Sequence, residues 1–180
     1  MERKLELKEI AVYFPYKLKI ICSITKAHTL FGYYKTFNQQ WEEWAVVNNP
    51  DEKSQTSDIL FDDITPILRP LSDLYLQITH NRKEIVPLIE CAKIVHPLNN
   101  WIIEQDDDCN DNYSCFCGCF EFLFNHRSMS FLMWNGDDYI PVGKQYQLFD
   151  YLHELKIDYR GLIDVGLAID ANTLENNPYK

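Results

Sequence analysis

Residues 113–124, with the sequence YSCFCGCFEFLF, carry the clearest β-strand pattern in the chain. Side chains at alternate positions of a strand point to opposite faces. One face would then hold Phe116, Gly118, Phe120, Phe122 and Phe124, and the other would hold Cys115, Cys117, Cys119, Glu121 and Leu123. The alternation predicts one continuous strand through this segment.

The residues that follow extend the pattern into a sheet. Residues 129–134 predict a second strand that returns through the polar turn 125–128, and Asn135-Gly136 is typical of a tight turn into residues 139–142. The chain then closes with apolar residues at helical spacing. They predict a helix through Leu148, Tyr151, Leu152 and Leu155, and a short second helix through Leu162, Ile163, Val165 and Leu167.

The N-terminal third has a similar mixture of patterns. Leu7, Ile10, Ala11 and Phe14 predict an amphipathic helix over residues 5–14 that ends at Pro15 and packs on a sheet. Residues 18–24 and 30–37 predict a hairpin, with a turn near residues 27–29. Residues 41–47 are ambiguous, because Glu42 and Glu43 interrupt an otherwise strand-like run, and residues 48–58 predict a long polar loop around Pro50.

Helices are also expected in the middle of the chain. Leu71, Leu74, Tyr75 and Ile78 have helical spacing, and Pro87 is suited to begin a helix that ends before Pro97. Strands and helices are therefore grouped without regular alternation. This arrangement predicts the α+β class, with a mostly antiparallel sheet and short helices packed on it.

Length and composition are those of one ordinary folded domain over residues 1–180. The chain is 46% hydrophobic and 14% aromatic, which predicts a packed core without disulfide support. Residues 1–10 lack a signal-peptide core, and Glu121, Asn125, His126 and Arg127 interrupt the richest apolar stretch. We therefore expect neither secretion nor a membrane span, and we expect the six cysteines to be reduced thiols in the cytoplasm.

The charge is strongly negative and unevenly placed. The formal net charge is −10, although residues 1–35 hold seven basic residues against three acidic ones. A surplus of this sign disfavours direct DNA or RNA backbone binding and favours a basic partner. A solvated surface without a specific role is the alternative.

Two segments suggest metal binding but depart from the patterns that metals require. Cys115, Cys117 and Cys119 are spaced by two, whereas structural zinc sites usually draw pairs of ligands from Cys-x-x-Cys turns. The acidic run 104–112 begins like a calcium loop, but its sixth position is Asp111 instead of glycine and its twelfth is Cys117 instead of glutamate. We therefore predict no metal and no cofactor, and expect the cysteines to pack as small apolar residues.

The acidic run is nevertheless the best candidate for contact with a basic partner. Its carboxylates, with two more upstream, can imitate the charge of a nucleic acid. The predicted partner-binding residues are Asp106, Asp107, Asp108, Asp111, Asp62 and Asp63.

No catalytic motif is recognisable. The five histidines are scattered, and the sequence has no nucleophile elbow, no His-Glu-x-x-His helix and no phosphate-binding glycine loop. His153, within the last long helix, is predicted to be a surface or boundary residue. The four tryptophans and eleven tyrosines suit core packing, although a protein interface or an RNA-stacking surface would use the same residues. We predict no catalytic residues and no enzymatic activity.

Three segments resemble a known group of proteins. They are residues 67–74 (ILRPLSDL), residues 159–170 (YRGLIDVGLAID) and residues 5–16, which end in Phe-Pro-Tyr. Together they resemble a widespread group of small phage and prophage proteins from Bacteroidota, mostly of unknown function. This group looks like the source of at least one anti-CRISPR protein, an inhibitor of the RNA-guided, RNA-cleaving effector of type VI-B systems.

The resemblance implies an inhibitor acting in the cytoplasm of an infected bacterial host cell. It would bind the CRISPR effector or its guide-RNA complex and interfere with the use of guide RNA. Two alternatives remain open, a phage accessory protein that binds another host or phage protein, and a metal-dependent enzyme. The cysteines and the acidic run lie outside the familiar segments.

Overall fold

A computed structural model describes residues 3–22, 27–38, 40–48, 56–105 and 113–180. The chain divides into two compact units, Met1–Pro70 with Arg160–Lys180 (the first unit) and Leu71–Tyr159 (the second unit). Both contain mostly antiparallel sheet and short helices, so the predicted α+β class is confirmed. That the two units form a single domain stays a prediction.

The α-helices are α1 (Leu7–Ile10), α2 (Pro87–Val95) and α3 (Gln145–Leu155). The strands are β1 (Lys19–Ile21), β2 (Ala27–Asn38), β3 (Gln40–Asn48), β4 (Thr56–Leu60), β5 (Thr65–Leu68), β6 (Ile78–His80), β7 (Lys83–Ile85), β8 (Ile102–Gln105), β9 (Tyr113–Cys117), β10 (Phe120–Asn125), β11 (Ser130–Trp134), β12 (Tyr139–Pro141) and β13 (Ile169–Asp170).

The first unit is built on a six-stranded sheet in the order β13-β5-β1-β2-β3-β4. β13 is parallel to β5, and the other pairs are antiparallel. The helical segment predicted near residues 5–14 is present, but α1 continues as a 3₁₀ helix, Ala11–Tyr16, which includes Pro15. Ile10 and Tyr13 from this segment are buried with Leu30 of β2, so the helical segment contributes to the core of the sheet.

Two N-terminal predictions are settled by strand pairing. The predicted hairpin is confirmed as β1 and β2, but its predicted turn near residues 27–29 is wrong, because these residues belong to β2 and pair with β1. The ambiguous segment 41–47 is part of a strand, β3, because it pairs along its length with β2. The predicted loop 48–58 is wrong at both ends, since Asn48 is the last residue of β3 and residues 56–58 begin β4, which pairs with β3. Residues 49–55 of that loop lie outside the described part of the chain.

The second unit contains a five-stranded antiparallel sheet in the order β12-β11-β10-β9-β8, and a separate hairpin of β6 and β7. The helices α2 and α3 contribute Leu88, Leu148 and Leu152 to its core, which is rich in aromatic side chains. Phe122, Phe131 and Phe149 are in ring contact in this core. The predicted helix after Pro87, the strand near 129–134 and the final long helix are confirmed.

The predicted continuous strand 113–124 is wrong. The chain reverses at Gly118-Cys119, and β9 pairs with β10 so that Cys115 lies opposite Phe122 and Cys117 opposite Phe120. Gly118 has a φ of 62°, the conformation that a two-residue hairpin turn beginning with glycine requires. Cysteines and phenylalanines that were predicted on opposite faces therefore share one face.

Two predicted helices are also wrong. Residues 71–74 form a short 3₁₀ helix, but Ile78 begins β6, whose hairpin turns through Asn81 and Arg82, both with positive φ. Residues 162–166 form turns instead of a helix, and Gly166 has a φ of 74° before the chain enters β13. Within the described residues, no helix combines the length and the apolar character needed to cross a membrane.

Candidate interaction surface

The hairpin of β2 and β3 extends beyond its neighbours in the sheet. β1 pairs with β2 at Ala27–Thr29, and β4 pairs with β3 at Trp44–Asn48. Residues 35–38 and 40–43 pair with each other past both of these contacts, and we call them the arm. At about 3.4 Å per residue, four residues extend roughly 14 Å. The arm is therefore a two-stranded ribbon in the described structure.

The tip of the arm carries two exposed aromatic side chains. Phe37 and Trp41 lie directly opposite each other on the two strands. Their ring centroids are 5.4 Å apart with an interplanar angle of 61°, an edge-to-face contact. Phe37 is nevertheless 66% exposed and Trp41 is 71% exposed. Large aromatic side chains at a projecting position are typical anchors of protein interfaces.

The aromatic pair lies on the core-facing side of the sheet. Along β2 and β3, alternation places the pairs Phe37–Trp41, Lys35–Glu43 and Tyr33–Ala45 on one face. Ala45 is fully buried in the core of the first unit, and Tyr33 packs against that core. This face of the arm therefore continues outward from the core.

A shallow groove of about 510 Å³ opens on the same face. Residues 4–8 form one wall, and Tyr33, Lys35 and Glu43 form another, while Phe61 and Asp62 complete the lining. A smaller cavity of about 230 Å³ adjoins it and shares Lys4, Leu5, Phe61 and Asp62. The floor is partly apolar and the rim is charged, a composition suited to a protein segment or an extended side chain.

The cations of the groove are paired with carboxylates. Lys4 Nζ lies 2.5 Å from Asp62 Oδ2 and Lys8 Nζ lies 2.6 Å from Glu6 Oε2, while Lys35 pairs with Glu43 across the arm. These contacts raise the pKa of each lysine. Hydrogen bonds from Lys35 and Tyr33 lower the pKa of Glu43. Each lysine therefore has a carboxylate beside it, which leaves little positive charge for an anionic ligand.

The structure brings one of the predicted partner-binding residues, Asp62, to this groove. Asp62 and Asp63 are exposed residues of the 3₁₀ helix Phe61–Asp63, whose Phe61 is buried, and Asp62 lines both cavities. The other four predicted residues, Asp106, Asp107, Asp108 and Asp111, lie outside the described part of the chain. Their role in binding stays a prediction.

The cysteines of the second unit differ in how far they are buried. Cys115 is buried and its Sγ lies 3.9 Å from the carbonyl oxygen of Leu88. Burial raises the pKa of the Cys115 and Cys91 thiols, so both are neutral packing groups near pH 7. Cys119 is exposed at the turn. Across the described residues, no three His, Cys, Asp or Glu side chains are grouped so that they could hold a metal ion.

The histidines occupy separate environments. His80 Nε2 lies 3.2 Å from Glu154 Oε1, whereas His153 Nε2 lies 2.8 Å from the Tyr159 hydroxyl. His153 is half-buried, which agrees with its predicted boundary position. His28 Nδ1 lies 3.2 Å from the carbonyl oxygen of Asn48, and the His96 ring contacts the Phe120 ring with 4.5 Å between their centroids.

Sequence reasoning missed the arm as a functional feature. Core packing was expected for most tryptophans, and it holds for Trp101, which is buried, but not for Trp41. A signal was available in the spacing, because Phe37 and Trp41 flank the polar sequence Asn-Gln-Gln. Comparison of the chain with protein-family models, curated proteins and solved structures found no match.

Proposed function

We propose that this protein is a phage-encoded, non-enzymatic inhibitor that binds a host CRISPR RNA-guided effector nuclease of type VI-B and interferes with its use of guide RNA. The observation that carries the proposal is the arm with its exposed Phe37–Trp41 pair. Exposed aromatic anchors of this size suit recognition of another protein. The resemblance of residues 5–16, 67–74 and 159–170 to phage proteins supplies the partner class.

The distribution of charge supports a basic partner. The second unit contains six basic and fourteen acidic side chains, whereas the first contains eleven basic and thirteen acidic ones. Most of the surplus, −8 of −10, therefore belongs to the second unit. An effector that holds guide RNA must present basic channels, and a protein with this surplus is attracted to them at low ionic strength.

The proposal is tested by co-elution of the purified protein with a type VI-B effector in size-exclusion chromatography. The effector is used with and without guide RNA, at low and moderate salt. The proposal predicts a stoichiometric complex that weakens as salt rises. Absence of a complex under all four conditions would contradict it.

The acidic run is tested by a charge variant. Replacing Asp106, Asp107, Asp108 and Asp111 by Asn is expected to weaken binding and to reduce its salt dependence, because four contributions to the attraction are removed. The matched control has the same change in net charge at exposed sites elsewhere, Glu84→Gln, Asp137→Asn, Asp164→Asn and Glu175→Gln. Equal effects of the two variants would show that the run acts through total charge alone.

A further inference from the structure

The arm allows the proposed partner contact to be placed. We infer that the arm is the anchor of the complex, and that it inserts into a lysine- and arginine-lined cleft of the effector that otherwise holds single-stranded RNA. The rings of Phe37 and Trp41 would occupy positions where bases stack, and nearby carboxylates would meet the cations that hold phosphates. This inference rests on the proposed function and identifies the surface that performs it.

Folding does not account for the aromatic pair. Phe37 and Trp41 contact each other, yet both remain about two-thirds exposed, while the buried core of the first unit ends nearer the base of the hairpin, at Leu30, Ala45 and Val47. Apolar surface exposed to water is unfavourable, and covering it with a partner contributes favourably to the free energy of binding. Because aromatic faces stack on other planar groups, the pair also suits a cleft built for bases.

The charge around the arm selects a basic partner. Across the described residues of β2, β3, β4, the 3₁₀ helix Phe61–Asp63 and the groove wall 4–8, the lysines are Lys4, Lys8 and Lys35, whereas the carboxylates are Glu6, Glu42, Glu43, Asp58, Asp62 and Asp63. Each lysine is paired with one of these carboxylates, which leaves the negative charge in excess. A nucleic acid would therefore meet repulsion here, and so would the same surface of a second copy of this chain.

Side-chain contacts cross the strands at the base of the arm. Tyr34 of β2 donates a hydrogen bond of 3.0 Å from its hydroxyl to Asp58 Oδ2 of β4, on the far side of β3, and the Lys35–Glu43 pair joins β2 to β3. A prearranged anchor loses less conformational entropy on binding than a flexible one. The strand pairing and these two contacts prearrange the base of the arm for binding.

The inference is tested by measuring the dissociation constant of the RNA-free effector for the wild type and for single variants. Trp41→Ala and Phe37→Ala are each expected to weaken binding by about 30-fold or more, the range of interface hot spots. Glu42→Gln is expected to weaken it by a smaller factor. The controls are Tyr146→Ala, because Tyr146 is 82% exposed in the second unit, and Glu175→Gln. Circular dichroism of each variant confirms that it is folded.

Preloading the effector with guide RNA gives a second, independent readout. If the arm occupies an RNA cleft, guide RNA competes, and the wild type binds the loaded effector at least about tenfold more weakly than the empty one. Equal affinity for the loaded and empty effector would overturn the placement in an RNA cleft.

The remaining outcomes separate the two proposals. Wild-type binding that survives Trp41→Ala and Phe37→Ala unchanged would overturn the arm as anchor and leave the inhibitor proposal standing. Failure of the wild type to bind the effector at all would overturn both. Trp41-dependent dimerisation in sedimentation velocity, or Trp41-dependent binding of single-stranded RNA in fluorescence anisotropy, would overturn the inferred occupant in favour of a second copy or a nucleic acid.

Discussion

Tyr179, next to the last residue of the chain, completes the hydrogen bonding between β1 and β5. These antiparallel strands pair at Ile20–Pro66 and Ile21–Thr65. At the next position the Tyr179 hydroxyl is inserted between them, accepting a 3.2 Å hydrogen bond from the Lys19 amide and donating a 2.7 Å one to the carbonyl of Ile67. Arg69 also donates to the Tyr179 carbonyl at 2.7 Å. The C-terminal segment is therefore part of the structural core of the first unit.

We predict that Tyr179→Phe destabilises the protein by about 2–4 kcal/mol. The variant keeps the ring but leaves the buried carbonyl of Ile67 and the amide of Lys19 without their shared partner, and each unsatisfied buried group costs about 1–3 kcal/mol. For a chain of this size the corresponding fall in Tm is about 4–16 °C. The measurement is equilibrium urea unfolding followed by circular dichroism, supported by a thermal scan.

Tyr146→Phe is the matched control, because the Tyr146 side chain is 82% exposed. It is expected to change the free energy of unfolding by less than about 0.5 kcal/mol. A Tyr179→Phe variant as stable as this control would refute the structural role of the bridging hydroxyl.

Burial raises the pKa of Tyr179. The neutral hydroxyl therefore stabilises the folded state below about pH 10, and this contribution is lost as the pH rises further. In urea unfolding, the free energy of unfolding should fall less steeply with rising alkaline pH for Tyr179→Phe than for wild type. Gly118→Ala should cost about 1–2 kcal/mol in urea unfolding because of its positive φ, whereas Gly143→Ala should cost less than about 0.5 kcal/mol. Phe122→Ala should cost about 3–5 kcal/mol by the same assay, far more than the exposed Phe37→Ala. The Glu43 carboxyl should titrate below its ordinary range by NMR, and Lys35→Met should move its pKa upward; an unchanged titration would contradict the pairing.

Local patterns predicted much of the secondary structure but less of its pairing. The helix after Pro87 and the final long helix follow from apolar spacing and a proline start, both of which are local properties. The turn at Gly118 was missed because the alternation of cysteine and phenylalanine runs through it without interruption. A two-residue turn places odd-numbered residues of one strand opposite even-numbered residues of the next. Cys115 and Phe122, which were predicted on opposite faces, therefore lie on the same face.

Strand pairing between distant segments explains the other differences. Ile78 has helical spacing with Leu74, but pairing with Ile85 across the Asn81-Arg82 turn places it in a hairpin. Such tertiary pairing overrides a weak helical pattern. Pairing also decides β4, because its polar residues fit an edge strand as well as a loop and its pairing with β3 makes it a strand.

The candidate surface was predictable only in part. Asp62 and Asp63 were identified by charge, and the structure places Asp62 in the lining of the groove. The exposure of Phe37 and Trp41 was not predictable, because it depends on where β1 and β4 stop pairing with the long hairpin. Sequence alone gives the strand-like alternation of the arm but not its projection past those neighbours.

The most direct test of the account is target-RNA cleavage by a type VI-B effector in the presence of the purified protein. The protein is added either before or after guide RNA, with Trp41→Ala as the comparison variant. The account predicts that an excess of wild type added first suppresses cleavage, that addition after guide RNA suppresses it less, and that Trp41→Ala suppresses it weakly in both orders. Cleavage that proceeds at the same rate with and without excess wild-type protein would contradict the account.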